Sequence, residues 1–413
     1  MSPILPLELE EIILSYLRDD PSALQAWALT CHRFVHPAQA YIFQRVELVI
    51  SSVKSAQIRW QRFIALLESS PHISNLITEL SLALDSPHRV SIGTAATLPV
   101  IIGLRSIDLI DWEAGFDWDA FPAVEQTLLT TMIQQHSLVN LRLSNIFDLS
   151  LMFLEGLISL EGLFLENVTF CDDDRKSLLN DQWTRNDHLF DKSPHLKFLR
   201  LDLIYYAFNV FVRWITHPNC PFDISSLQGL ALSMNPVVNW LDYSIDINAN
   251  INTLLQFCSK SLRVFCYGPG FRGLETPEPA GLINIKCLSN LHTLRIAIRE
   301  PIRSDFFNSR AVEFFGQIKG CKLLSEVSIK VVFTIIKQPP SVAALLDTIA
   351  ALTQPCPRTR IFVYRDSNEY MFPKEWKDEW MEVLKVEVPT TMRMQWAQSC
   401  ESIRAAIFML GRL

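Results

Sequence analysis

A six-residue unit, apolar-x-x-apolar-x-apolar, returns along this chain and limits the architectures open to it. It reads "ITELSL" (77–82), "LRSIDL" (104–109), "LVNLRL" (138–143), "LEGLFL" (160–165) and "LKFLRL" (196–201). It continues as "LQGLAL" (227–232), "LRVFCY" (262–267), "LHTLRI" (291–296) and "LSEVSI" (324–329), with a weaker tenth copy at "RTRIFV" (358–363) whose first position is polar. Start-to-start spacings run from 22 to 36 residues. Such a period belongs to stacked repeats, in which each unit buries its apolar face only against its neighbours. Helical spacing fills several gaps, as at Leu128, Leu129, Met132 and Ile133, at Phe208, Phe211, Val212 and Ile215, and at Val342, Leu345, Leu346 and Ile349. Strand, helix, strand in short units predicts an α/β fold with a parallel sheet.

Asn145 and Asn167 follow two of the units where a leucine-rich repeat usually turns the chain. The region 73–365 thus resembles an irregular leucine-rich-repeat solenoid, which implies a sheet on the concave side and helices outside. Residues 46–72 are expected to form a linker helix, on the pattern Ile58, Phe63, Ile64 and Leu67. Trp376, Trp380, Val383 and Leu384, then Trp396, Cys400, Ile403, Ile407 and Leu410, predict C-terminal capping helices over 366–413.

The first forty-odd residues follow another pattern. Pro6, Pro21 and Pro37 stand 15 and 16 residues apart, and proline suits the first turn of a helix. The first helix would run from Pro6 to about Arg18, with Leu9, Ile12, Ile13, Tyr16 and Leu17 on one face. The second would be capped by Asp20 and carry Leu24, Trp27, Ala28 and Cys31, and the third would start at Pro37. Leu5, Leu29, Phe34 and Phe43 add apolar surface elsewhere. Chains below roughly 40 residues seldom bury enough to stand alone. The surplus must be covered, either by the following domain or by a partner.

The order Leu5-Pro6-x-x-Leu9, Ile12/Ile13, Tyr16-Leu17, Leu24, Leu29 and Cys31-His32-Arg33-Phe34 resembles the F-box, with Thr30 where that family more often has Val. The resemblance covers about residues 4–43, and residues 1–45 are read as that domain. It implies a three-helix, all-α module binding an adaptor of the S-phase-kinase-associated type and, through it, a cullin-RING ubiquitin-ligase assembly. Leu5, Pro6, Leu9, Ile12, Ile13, Leu17, Leu24, Trp27, Leu29, Cys31 and Phe34 would form the adaptor-binding set. The chain would then be the non-catalytic substrate receptor, with the solenoid holding a target protein. The alternative is a repeat scaffold or sensor whose N-terminal helices only cap the solenoid.

Composition narrows the remaining classes. A net charge of −7, with no basic run denser than "RTR" at 358–360, argues against sequence-independent nucleic-acid binding. Nine scattered cysteines, none in C-x-x-C, suit a reducing compartment better than disulfides or zinc. The start "MSPILPLELEE" is acidic where a signal peptide is basic, and the longest uncharged run, Ile224–Leu241, is too polar for a membrane span. A cytoplasmic or nuclear protein is expected, so the sequon at Asn167 carries no weight.

No cofactor or metal motif stands up. "GPGFRG" (268–273) is followed by Pro277 and Pro279 rather than by a helix start, and His32/His36 have no third ligand nearby. Walker, G-x-S-x-G and kinase signatures are absent from the sequence. One segment suggests target recognition: in "DLIDWEAGFDWDAF" (108–121), Asp111, Glu113, Asp117 and Asp119 alternate with Trp112, Phe116, Trp118 and Phe121. Aromatics beside carboxylates suit a basic partner, unless the rings tuck inward and leave the acids to water. The polar stretch 171–193 is a second candidate loop.

Overall fold

The computed structural model describes residues 6–18, 20–50, 54–84, 101–111, 115–120, 123–134, 138–179, 194–235, 247–268, 283–300, 313–333 and 356–365. The expected helices at 342–349 and 366–413 lie outside them. The chain divides into two compact units, Met1–Pro194 and His195–Leu413. Eleven strands of the described residues pair in parallel, with helices between them, so the fold is α/β.

The first unit opens with three helices, α1 (Leu7–Leu17), α2 (Pro21–Thr30) and α3 (His32–Gln44). Strand β1 (Arg45–Ile50) follows α3 directly, then α4 (Lys54–Ser69), a 3-10 turn at Pro71–Asn75, β2 (Glu79–Leu84) and β3 (Ser106–Asp111). The remaining elements are β4 (Phe116–Asp117), α5 (Ala123–Ile133), β5 (Asn140–Ser144), β6 (Ile146–Phe147), α6 (Met152–Glu155), β7 (Gly162–Glu166) and α7 (Asp172–Leu179). Strands β1-β2-β3-β5-β7 pair in that order, and β4 pairs with β6 separately.

The second unit contains β8 (Phe198–Ile204), α8 (Tyr205–Ile215), β9 (Gly229–Asn235), α9 (Ile247–Phe257), β10 (Val264–Gly268), β11 (Thr293–Glu300), β12 (Glu326–Phe333) and β13 (Arg358–Arg365). These strands pair in sequence order, again parallel.

In every intact unit the first, fourth and sixth positions are the ones that face inward. Leu138, Leu141 and Leu143 are at most 1% exposed, and Leu160, Leu163 and Leu165 are wholly buried. Burying one such side chain is worth about 1.5–3 kcal/mol. The positions between alternate outward, as in β3 and β8. Parallel sheets usually hide both faces. Here, among the described residues, the outward positions of β3 and β8 are half-buried or exposed.

Register corrects two expectations, and a helix boundary corrects a third. Arg45 pairs with Glu79, so Phe43, Val46 and Leu48 hold the three apolar positions of an additional unit, "FQRVEL". Among the described residues the sheet starts at residue 45, and the expected linker helix is α4 (Lys54–Ser69), preceded by strand β1 and followed by the 3-10 turn. Glu326 pairs with Arg358, which moves the tenth unit back by two residues and puts Cys356, 7% exposed, in its first position. Finally, α3 begins at His32, with extended Cys31 as its N-cap, and Pro37 lies inside it. Proline there removes one i→i−4 bond, to the Arg33 carbonyl. Packing of Ala38, Tyr41 and Ile42 offsets that loss.

Asparagine turns the chain at the ends of β5 and β7. Asn145 and Asn167 adopt left-handed backbone, φ 57° and 50°, which asparagine tolerates better than most residues. Asn145 Nδ2 donates to the Asp111 carbonyl at 2.6 Å, and Asn167 Nδ2 donates to Asn145 Oδ1 at 2.9 Å. Each rung ties one repeat to the one before it. In the second unit, polar side chains of the connecting segments make the ties. Buried Gln317 accepts from the Ile285 N–H at 3.0 Å and donates to the Ile283 carbonyl at 2.9 Å, while Asn252 accepts from the Asn284 N–H at 2.7 Å.

Replacing Asn145 by alanine removes both side-chain bonds and strains the turn. We expect Asn145→Ala to cost about 2–3 kcal/mol and Asn145→Gly, which keeps the φ freedom, roughly half of that. Urea denaturation followed by circular dichroism checks the order. Equal losses would refute the turn argument.

Candidate functional site

The N-terminal helices have a very small shared core. Leu14, Leu24 and Ala38 are at most 1% exposed, with Leu17, Trp27, Ala28, Tyr41 and Ile42 packed around them. The Trp27 and Phe34 rings lie 4.9 Å apart. Asp20 caps α2 by accepting from the Ala23 N–H at 3.0 Å, and Pro21 occupies the first helical turn. Glu10, its side chain 5% exposed, pairs with Arg33 Nε at 3.2 Å and clamps α1 to α3.

Around α1, apolar residues occupy two separate faces. Leu14 and Leu17 point with Glu10 into the core. Leu9, Ile12 and Tyr16 lie about 130° away at 3.6 residues per turn. They are 48%, 50% and 85% exposed, and Leu29 of α2 is 89% exposed. Large apolar side chains in such number on so few residues form a surface that water disfavours.

The eleven residues singled out in the sequence thus separate. Leu9, Ile12 and Leu29 are exposed apolar groups, and Pro6 and Cys31 are exposed beside them. Ile13, Leu17, Trp27 and Phe34 are half-buried. Leu24 is interior, so it supports the module rather than offering a contact. Leu5 lies outside the described residues. Leu14 escapes a reading by sequence because the Leu9/Ile12/Tyr16 stripe is the more regular one. The Glu10–Arg33 clamp has no local signal, since its partners are 23 residues apart.

The acidic-aromatic segment is corrected by burial. Phe116 is wholly buried and Trp118 is 6% exposed, the latter edge-to-face on Phe153 with ring centroids 4.9 Å apart. Both lie in or just after β4, whose pairing with β6 fixes them inward. The Phe116 N–H donates to the Asn145 carbonyl at 2.8 Å, and the Trp118 N–H donates to the Phe147 carbonyl at 2.9 Å. Asp111 is 1% exposed, its carbonyl held by Asn145. Asp117 is half-buried and accepts from the N–H groups of Asp119 and Ala120, closing a turn. Among the described members of the candidate target-binding set, only Asp119 is exposed. Trp112, Glu113 and Phe121 lie outside the described residues.

In the second candidate loop, Asp172–Leu179 is helix α7, and buried Asp174 accepts from the Leu151 N–H at 2.6 Å. Residues 180–193, and 269–282 including most of "GPGFRG", lie outside the described residues.

Burial disfavours the thiolate at Cys171, Cys258, Cys266, Cys287 and Cys321. Burial pushes the Cys171 thiol up to about 11 and the Cys258 thiol up to about 12, away from the thiolate a nucleophile needs. None of the eight described cysteines is in a disulfide, and no cluster of three potential metal ligands occurs among the described residues. His32 and His36 are exposed on α3. No described helix is long and apolar enough to cross a membrane.

Neither a protein-family model nor a curated protein sequence matches the chain.

Two outcomes follow from this geometry. Leu24→Ala should destabilise the module by about 2–5 kcal/mol, whereas Leu9→Asp and Ile12→Asp should stay within about 0.5 kcal/mol of wild type. Thermal melts decide; a large loss in either aspartate variant would mean that those side chains are interior. The exposed Asp148 carboxyl is held above its ordinary value by partial burial, then by Asp117, Asp119 and Asp172. A raised carboxyl destabilises the fold once it ionises, so the penalty grows as pH rises through the unfolded and then the folded value. Asp148→Asn, which keeps the left-handed φ of 53° accessible, should therefore raise stability at neutral pH and lose that advantage in acid.

Proposed function

We propose that this chain is the substrate-recognition subunit of a cullin-RING ubiquitin ligase, with residues 6–44 as an F-box-type module docking a small adaptor. The observation that carries the reading is the outward apolar face of α1 and α2, Leu9, Ile12, Tyr16 and Leu29, on a module whose own core is only a few side chains. A standard interface buries about 1,200–2,000 Å² in total. At roughly 25 cal/mol per Å² of apolar area, covering this face supplies ample gross drive. The F-box-like order of residues supports the same partner. The repeat region, read as an irregular leucine-rich-repeat solenoid, then presents a target. No bond is made or broken by this chain: its contribution is effective concentration at the ubiquitin donor.

A second reading, a repeat scaffold capped by these helices, is favoured by one feature. Helix α3 runs into β1 with no residue between them, so the helices are continuous with the first repeat.

Co-purification with the adaptor separates the two. Wild type should capture it, and Leu9→Asp or Ile12→Asp should lose at least tenfold in affinity while melting like wild type. Equal behaviour of all three, with no complex, would sink the ligase reading. A truncation that starts at Phe43, sparing the first apolar position of the first repeat, should leave the sheet folded if the module docks an adaptor. Aggregation or a large fall in melting temperature favours the cap.

A further inference from the structure

The open strand face treats charge differently in the two units. On the first, acids and bases answer one another: Arg45 pairs with Glu47 at 3.0 Å and Arg142 with Glu166 at 2.8 Å. Asp108 lies between, its carboxyl raised chiefly by burial and drawn down by Arg142 and Arg45.

On the second unit, parallel register lines up Arg200, Ala231, Cys266 and Arg295 on β8, β9, β10 and β11. Both arginines are exposed, and neither has a carboxylate within ion-pair distance among the described residues. Between them the outward positions are small, Ala231 and Cys266, so the two long side chains flank a shallow floor. Burial raises the Cys266 thiol, and the positive charges of Arg295 and Arg200 draw it back down. One position earlier in the same face, Phe198 is 45% exposed, its ring leaning over Gly229, where an added Cβ would come within 2.9 Å of Phe198 Cδ1. Asp202 and Glu326 are the acids on this face among the described residues, and each is half-buried.

We propose that the open face of β8–β11 binds an extended acidic segment of a partner protein, with Arg200 and Arg295 each taking one carboxylate and Phe198 packing an apolar side chain. Charge complementarity selects this occupant. Two guanidiniums with no acidic partner among the described residues, on a chain of net charge −7, are matched by planar carboxylates, which arginine grips through paired N–H groups. Spacing sets the motif. Strands β8 and β11 are three intervals apart, about 14 Å at ~4.8 Å each, and an extended peptide rises about 3.3 Å per residue. Two carboxylates about four residues apart, Glu-x-x-x-Glu, span the arginines. In the ligase reading this face receives the target, so the proposal rests on that reading for its biological sense. Its chemistry is measured separately.

The test uses the full chain and fluorescein-labelled peptides of Ser, Thr and Ala, each with one Leu, read by anisotropy. The peptide with two Glu four residues apart should bind, weaken steeply as salt rises, and lose roughly tenfold in affinity to Arg200→Glu or Arg295→Glu. Arg59→Glu, on the exposed side of α4, should change nothing. The peptide with Gln at both places, or with the two Glu adjacent, should bind at least fivefold more weakly. No binding, equal binding of the Gln peptide, indifference to both charge reversals in variants that melt like wild type, or preferential binding of a single-stranded RNA oligonucleotide by the same arginines would each overturn the proposal. Adaptor capture by the reversal variants should be undiminished. Peptide binding without any adaptor capture by wild type would overturn the ligase reading and leave this one standing.

Discussion

Everything in this molecule depends on parallel register carrying three apolar positions of each unit to the same depth. A strand with leucines at its first, fourth and sixth positions cannot hide them within its own unit. Only the unit before and the unit after, paired residue for residue, close the space around them. Ile107, Leu141 and Leu163, successive partners across β3, β5 and β7, are all wholly buried for this reason. The same register leaves the intervening positions facing outward, and these make up the surface through which such a protein can act.

Register also explains what sequence reading recovers and what it misses. Nine units are legible because apolar residues stand at all their inward positions and the spacing is tolerant. The unit at Phe43 is hidden because its first position doubles as the last turn of α3, so one residue serves two periodicities. The unit at Cys356 reads two residues late because Cys356 and Thr359 fill sites where leucine is expected, and "RIFV" just beyond offers a more apolar match. Trp118 and Phe116 read as a recognition loop because they alternate with acids. That alternation is the two-residue period of a short strand, β4, whose partner β6 lies in the next repeat and gives no signal near it in sequence.

The N-terminal helices illustrate a different limit. Helical periodicity identifies apolar stripes but does not say which stripe faces home. Helix α1 carries two, and the less regular one, Leu14 and Leu17 beside the Glu10–Arg33 clamp, is the buried one. A buried carboxylate is costly unless paired, and the ionic contact to α3 meets that requirement while fixing how the helices cross. With so little interior, the module gains order from directional contacts, namely the Asp20 cap and this clamp, and leaves its richer apolar stripe free.

Net charge is an average over residues that folding sorts into separate neighbourhoods. Arg200 and Arg295 stand 95 positions apart in a chain with more acids than bases, and nothing in a sliding window joins them. The strand pairing sets them in one row with only Ala231 and Cys266 between. In the first unit the equivalent repeat positions include Glu47, Asp108 and Arg142, whose charges offset one another. The two faces are built from one repeat with apolar inward positions, and they differ in the charges carried at the outward ones. Divergence at those positions alone is what a scaffold with a specific binding surface requires, because residues there can change without disturbing the packing that holds the strands in register.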